Sequence, residues 1–101
     1  MLTLSVETTQ NITNKLSKLK VRLKERYPIS SMAIFGSYAR NEQTDTSDVD
    51  IMVEFNGKIG VKFIDLANDI EKALGLKVDL VSKKGIKEQY LNSILSDLIY
   101  V

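Results

Sequence analysis

The sequence contains no cysteine and no histidine among its 101 residues. The first absence excludes disulfides, thiolate nucleophiles and cysteine-ligated zinc. The second removes the commonest general base and the commonest ligand of transition metals. Tryptophan is missing too, and a single proline, Pro28, punctuates the chain. Neither sign of charge dominates: 14 basic residues stand against 13 acidic ones, so no basic excess marks a surface built to coat DNA or RNA. No apolar run reaches signal-peptide or membrane-spanning length, which predicts a cytoplasmic protein without a membrane partner. Chemistry in such a chain rests on carboxylates, hydroxyls, Lys, Arg and backbone groups, a donor set suited to hard cations such as Mg²⁺.

What is present reads as one folded domain. With 44% hydrophobic and 27% charged residues the composition is that of an ordinary globular protein, and the length holds a single core. Thr8 or Thr9 can cap a first helix, about 9–27, with Ile12, Leu16, Leu19 and Leu23 on one face and lysines and Arg22 on the rest. Pro28 ends it. Residues 31–35 form a short apolar run consistent with a buried strand, broken at Gly36, and a helical turn over 37–41 leads into a polar loop. A period-two segment follows, with Val49, Ile51, Val53 and Phe55 pointing one way and Asp48, Asp50, Met52 and Glu54 the other. Asn56-Gly57 ends it in a turn.

Phe63, Leu66, Ala67, Ile70 and Leu74 mark an amphipathic helix that stops at Gly75, with Asp65 and Asp69 expected on its solvated side. Leu76, Val78 and Leu80 alternate with Lys77, Asp79 and Val81 as a third strand. Ile86, Tyr90, Leu91, Ile94, Leu95 and Leu98 predict a last helix, interrupted near Gln89. The expected fold class is α/β (α+β): a small sheet of three strands with helices packed mainly on one face.

Two features go beyond packing. Gly36-Ser37 lies where a buried strand gives way to a helical turn, so backbone N–H groups and the Ser37 hydroxyl can approach a phosphate closely. The pair is a weak signal by itself, and no second Gly followed by Lys-Ser/Thr makes it a Walker loop. Asp48 and Asp50 share one face of a strand. Like charges brought to about 4 Å repel by about 4 kcal/mol at an effective dielectric of 20, a cost that a cation or a proton relieves. Asp79 is the sole acid of the third strand, opposite Val78 and Leu80, and converges on the pair if the two strands are neighbours.

Gly36-Ser37, ten intervening residues, Asp48-Val49-Asp50 and a later strand Asp79 together resemble the signature of the DNA polymerase beta-like nucleotidyltransferase superfamily. The fuller stretches, Phe35-Gly36-Ser37-Tyr38-Ala39-Arg40 and Ser47-Asp48-Val49-Asp50-Ile51-Met52-Val53, resemble its minimal nucleotidyltransferase (MNT) branch. Asn41 departs from the pattern, since many relatives place Gly there. The resemblance implies a small mixed sheet of the nucleotidyltransferase type and one nucleotidyltransferase domain over 1–101, with a catalytic core at about 29–101. It implies that Asp48 and Asp50 bridge two Mg²⁺ ions, that Asp79 holds the ion activating the attacking hydroxyl, and that Gly36 and Ser37 hold the β- and γ-phosphates of ATP. Arg40 either contacts phosphate or braces the loop. Tyr38 either stacks on a base or packs on a helix, and Lys83-Lys84-Gly85 either touches nucleotide or partner or is a solvated loop.

By the same resemblance, the expected activity is transfer of AMP to a hydroxyl, with a tyrosine of a HEPN-domain toxin as acceptor and this chain as its antitoxin. The alternatives are a non-catalytic module that neutralises its partner by binding, and a transferase acting on an antibiotic hydroxyl, where a homo-oligomer could build the pocket.

Overall fold

The computed structural model describes residues 7–101. Thr8 opens helix α1 (Thr9–Arg26), its hydroxyl accepting from the Asn11 N–H at 3.0 Å. Ile12, Leu16, Leu19 and Leu23 are buried along one stripe, as their spacing requires. The helix closes with the Tyr27 N–H on the Leu23 carbonyl, and Pro28 blocks a further turn. Strand β1 (Ile29–Phe35), the short helix α2 (Gly36–Ala39), β2 (Val49–Phe55), α3 (Lys62–Leu74) and β3 (Val78–Ser82) follow. A 3-10 turn (Lys83–Gly85), helix α4 (Glu88–Leu95) and β4 (Ile99–Tyr100) complete the chain. Gly75 terminates α3 in the left-handed conformation, φ 69°, which the missing Cβ makes inexpensive.

The sheet runs β3-β2-β1-β4. β1 is antiparallel to both β2 and β4, whereas β2 and β3, joined across α3, are parallel. One face carries Met32, Ile34, Val49, Ile51, Val53, Val78 and Leu80 and forms the core with α1 and α3. The other face presents Ala33 and Phe35 of β1, Asp50, Met52 and Glu54 of β2, and Asp79 and Val81 of β3. Met52 is as buried there as any core residue, so this side is closed around its middle, and α4 lies over its edge. No helix among the described residues is long and apolar enough to cross a membrane.

The tail departs from expectation. The helical stretch starts after Lys87 and stops at Leu95, so a turn takes the place of its predicted end at Leu98, and an unexpected fourth strand follows. The open edge of β1 explains the change, since its backbone groups need partners. Ile99 pairs with Ile34, the Val101 N–H donates to the Met32 carbonyl at 3.0 Å, and Ile99 and Val101 pack on the core. Lys20 Nζ caps the end by donating to the Val101 backbone oxygen at 2.6 Å. Tyr38 is a core residue, 2% exposed, which settles the choice between stacking and packing in favour of packing.

Asp69 is not solvated as expected. It accepts the Tyr27 hydroxyl at 2.6 Å and pairs with Arg26 at 3.0 Å, joining α1 to α3. Burial, then the hydrogen bond to Asp69, push the Tyr27 phenol up to about 12. The neutral phenol is the favoured form, so this contribution is complete below the unfolded value near 10 and disappears as pH rises through 12. Tyr27→Phe is expected to cost about 1–2 kcal/mol. Urea titration reads it as a lower midpoint with unchanged slope; an unshifted midpoint would mean that water replaces the phenol without loss.

Candidate active site

Three strand ends meet at one rim of the sheet. β1 runs out into Gly36, and β2 and β3 begin there, with Asp50 and Asp79 each the second residue of its strand. In the register Phe35 faces Asp50, and Asp50 faces Asp79. Because β2 and β3 are parallel and in register, the two carboxylates project from the same face side by side. Asp48, one residue ahead of β2, joins them by the same period of two, and its charge bears on Asp50. The loop before it is held by a reciprocal pair, the Thr44 N–H on Ser47 Oγ at 2.9 Å and the Ser47 N–H on the Thr44 carbonyl at 3.1 Å. The Val49 N–H then donates to the Lys77 carbonyl at 2.9 Å, which fixes β2 against the start of β3.

Asp50 is the electrostatic centre of this arrangement. Its carboxyl is pushed up to about 6, first by burial, then by the charges of Asp79 and Asp48, while Arg40 pulls the other way. Gly36 lies against it. With φ at +74°, Gly36 occupies the left-handed region, and a Cβ placed there would run into the Asp50 carboxylate, whose Cγ would stand at 3.1 Å. The glycine is thus required by its own backbone and by the aspartate beside it. It opens α2, whose N-terminus carries no side-chain cap.

Arg40 follows α2 and is braced. Its Nε donates to Glu42 at 3.0 Å and its NH1 to Asp97 at 2.7 Å, which ties the glycine turn to the segment between α4 and β4. The loop acid was within reach of sequence reasoning, but Asp97, 57 positions away, was not. Asn41 adopts φ 58°, which explains why glycine suits this position, and Asn is among the residues that tolerate it best. Glu54 shares the carboxylate face but is engaged elsewhere, by the Ser31 hydroxyl at 3.0 Å and by Lys83 at 3.6 Å. Lys83 is therefore a partner of the sheet, while Lys84 is exposed.

Three carboxylates with no nitrogen or sulfur donor suit a hard divalent cation such as Mg²⁺, and the charge crowded on Asp50 is what such an ion relieves. Among the described residues, no three acidic or histidine side chains close into a finished metal cage.

The family model described as a nucleotidyltransferase domain matches residues 16–101. The chain belongs to the nucleotidyltransferase domain family. A Methanocaldococcus jannaschii relative that carries a provisional protein adenylyltransferase name is 49% identical over 100 residues, covering 95% of this chain and 100% of its own. The protein adenylyltransferase MntA of Thermococcus cleftensis is 39% identical and covers 93% of this chain and 96% of its own. Among solved structures, one described as a minimal nucleotidyltransferase superposes with a TM-score of 0.79 at 27% identity, over 94% of this chain and 97% of that one. A chain of the complex between a tri-AMPylated Shewanella oneidensis HEPN toxin and an MNT antitoxin shares the fold, with a TM-score of 0.67 at 21% identity over 88% of this chain and 70% of its own. The nucleotidyltransferase fold, with its mixed sheet, is the one expected from the sequence. Its sheet has four strands instead of three.

Proposed function

We propose that this nucleotidyltransferase transfers AMP from ATP to a tyrosine hydroxyl of a HEPN-domain toxin and acts as its antitoxin. The observation that carries the proposal is the side-by-side pairing of Asp50 with Asp79, with Asp48 on the same face and Gly36 against Asp50. It is supported by the adenylyltransferase names of full-length relatives and by a fold neighbour that is an MNT antitoxin bound to an AMP-bearing HEPN toxin. The catalytic unit is the single domain over 1–101, its core at about 29–101.

In the reaction the acceptor oxygen forms a bond to the α-phosphorus. The bond from that phosphorus to the bridging oxygen breaks, and pyrophosphate leaves with the electron pair. Asp79, exposed at the rim, takes the acceptor's proton and passes it to solvent. Asp48, Asp50 and Asp79 would hold Mg²⁺, which would supply positive charge to offset the triphosphate and favour the attacking oxygen in its deprotonated form. The Gly36 and Ser37 backbone at the start of α2, with the Ser37 hydroxyl, receives the β- and γ-phosphates. Arg40, shared with Glu42 and Asp97, keeps that turn in place and adds positive charge beside Asp50.

The test is an incubation with Mg²⁺ and α-labelled ATP, with and without the protein encoded by the adjacent gene. Label is expected on a tyrosine of the neighbour, and Asp48→Ala is expected to reduce it at least about 100-fold. Tight association with no label would make the chain a non-catalytic binder. Label found only on an added aminoglycoside would make it a small-molecule transferase.

A further inference from the structure

β3 is an end strand of the sheet, and among the described residues no strand pairs with its outer edge. The Val49 N–H donates to the Lys77 carbonyl, so in this parallel pair Lys77, Asp79 and Val81 turn their backbone groups toward β2. Val78, Leu80 and Ser82 turn theirs outward. The Val78 N–H is taken by the Glu71 carboxylate at 2.9 Å, which closes the edge next to the catalytic rim. Among the described residues, the Leu80 N–H and carbonyl and the Ser82 N–H have no such partner. A cavity of about 660 Å³ opens beside them. Residues 79–82 all line it, although their side chains alternate between the two faces of the sheet. A cavity that touches four consecutive strand residues opens on the edge of the strand. Phe63 of α3 stands on one side of it and Tyr90 and Ile94 of α4 on the other, so β3 is the floor of a slot between two helices. Lys87 lines the slot and Lys84 lies close by in the chain; both are exposed, and neither is ion-paired among the described residues. We propose that this slot docks an extended segment of another protein, which adds to β3 as an antiparallel fifth strand, apolar in its middle and acidic at its N-terminal end. The inference stands apart from the transferase function proposed above.

The backbone groups decide the class of occupant. An apolar small molecule would suit the aromatic and aliphatic walls but would cut Leu80 and Ser82 off from water without replacing its hydrogen bonds. A polypeptide strand offers a donor and an acceptor at every second residue, the spacing at which Leu80 and Ser82 present theirs. One residue of the segment exchanges both bonds with Leu80, and the residue two before it accepts from the Ser82 N–H. Those two side chains fall on the Phe63 side, and the one between them falls on the side of Tyr90 and Ile94, so all three meet apolar surface. Antiparallel pairing is the commoner kind, and it sets the N-terminal end of the segment by Lys84 and Lys87, where an acidic side chain finds cations. A second copy of this chain fits poorly. Its own β3 lies at the bottom of the same slot, and two recessed edges do not meet.

Amide hydrogen exchange of the full chain, read by NMR with the peptide acetyl-Glu-Val-Ile-Val-Thr-amide, tests the docking. At saturation the peptide is expected to slow exchange at Leu80 and Ser82 at least about tenfold and to leave Asp79 and Val81, already bonded to β2, unchanged. N-methylation of its second valine keeps every side chain but removes the donor to the Leu80 carbonyl, and should weaken binding at least about fivefold. Ser82→Pro removes the outward N–H at a backbone of φ −90° and ψ 134°, near what proline adopts, and should weaken the parent peptide by a similar factor. Lysine in place of the peptide's glutamate should cost about threefold, and Lys84→Glu with Lys87→Glu should recover it. If the N-methylated peptide binds as tightly as its parent, the slot is an apolar pocket and the proposal fails. It fails equally if the peptide leaves exchange at Leu80 and Ser82 as it was. If those two amides are protected in the free protein, and the protection grows with concentration as the mass doubles, the occupant is a second copy and the proposal falls.

Discussion

Asp50→Asn is expected to make the metal-free protein more stable while removing its activity. In the fold Asp50 keeps its proton to about pH 6, whereas in the unfolded chain it ionises near 3.8. Between those values the folded state binds more protons, so this group's contribution is complete below pH 4 and is lost as pH rises through 6. Full conversion of the shift would be at most about 3 kcal/mol, and the partial exposure of the carboxylate reduces it to about 1–2 kcal/mol at neutral pH. Asparagine removes that cost and gives an amide donor to the neighbouring carboxylates. In EDTA at pH 7.5 the melting temperature should rise by roughly 5 °C, with the gain shrinking toward pH 4.5. AMP transfer should fall at least about 10³-fold, because one of three cation-holding side chains has lost its charge. A variant that melts lower than the parent in EDTA, or a gain that does not depend on pH, would show that Asp50 is not strained by its neighbours.

Gly36→Ala should be the most damaging small substitution at the rim. It meets two penalties. Alanine in the left-handed region costs about 1 kcal/mol relative to glycine. The new methyl also displaces the Asp50 carboxylate, whose Cγ would stand at 3.1 Å, which brings the total to about 2–3 kcal/mol. The two parts separate in a double-mutant cycle with Asp50→Ala. In that background the Asp50 Cβ, at 3.4 Å from the added atom, is an ordinary contact, so only the backbone penalty remains. A coupling of about 1 kcal/mol or more is expected. Strict additivity would mean that the glycine serves the turn alone and has no tie to the aspartate.

Much of this architecture was legible because local and long-range preferences agree. Thr8 and Pro28 bracket α1, Gly75 stops α3, and the alternation through Val49–Phe55 places its acids on one face. The nearness of Asp79 required one further fact, that β3 lies beside β2, and the crossover through α3 supplies it. Other features were hidden for physical reasons. β4 has two residues, too few for a period, and Leu95 and Leu98 fit a continuing helix until the bare edge of β1 outbids it. Met52 carried the right direction but the wrong environment, since alternation alone does not reveal that the polar face is buried at its centre. Asp69 and Asp97 find partners 42 and 57 positions away, and no short-range pattern encodes such pairs. The cavity beside Asp79 depends on where α4 settles, which its amphipathic spacing leaves open.

The convergence of β1, β2 and β3 at a single rim divides the protein into a conservative end and a permissive one. Chain reversals at the opposite end, through Asn56 and Gly57 before α3, stand a full strand length from Asp50. Residues gained or lost there change the path into the crossover and leave the spacing between the acids as it is. Lineages that share this chemistry are therefore free to differ in that hairpin-like corner, and an inserted epitope or fluorophore site belongs there too.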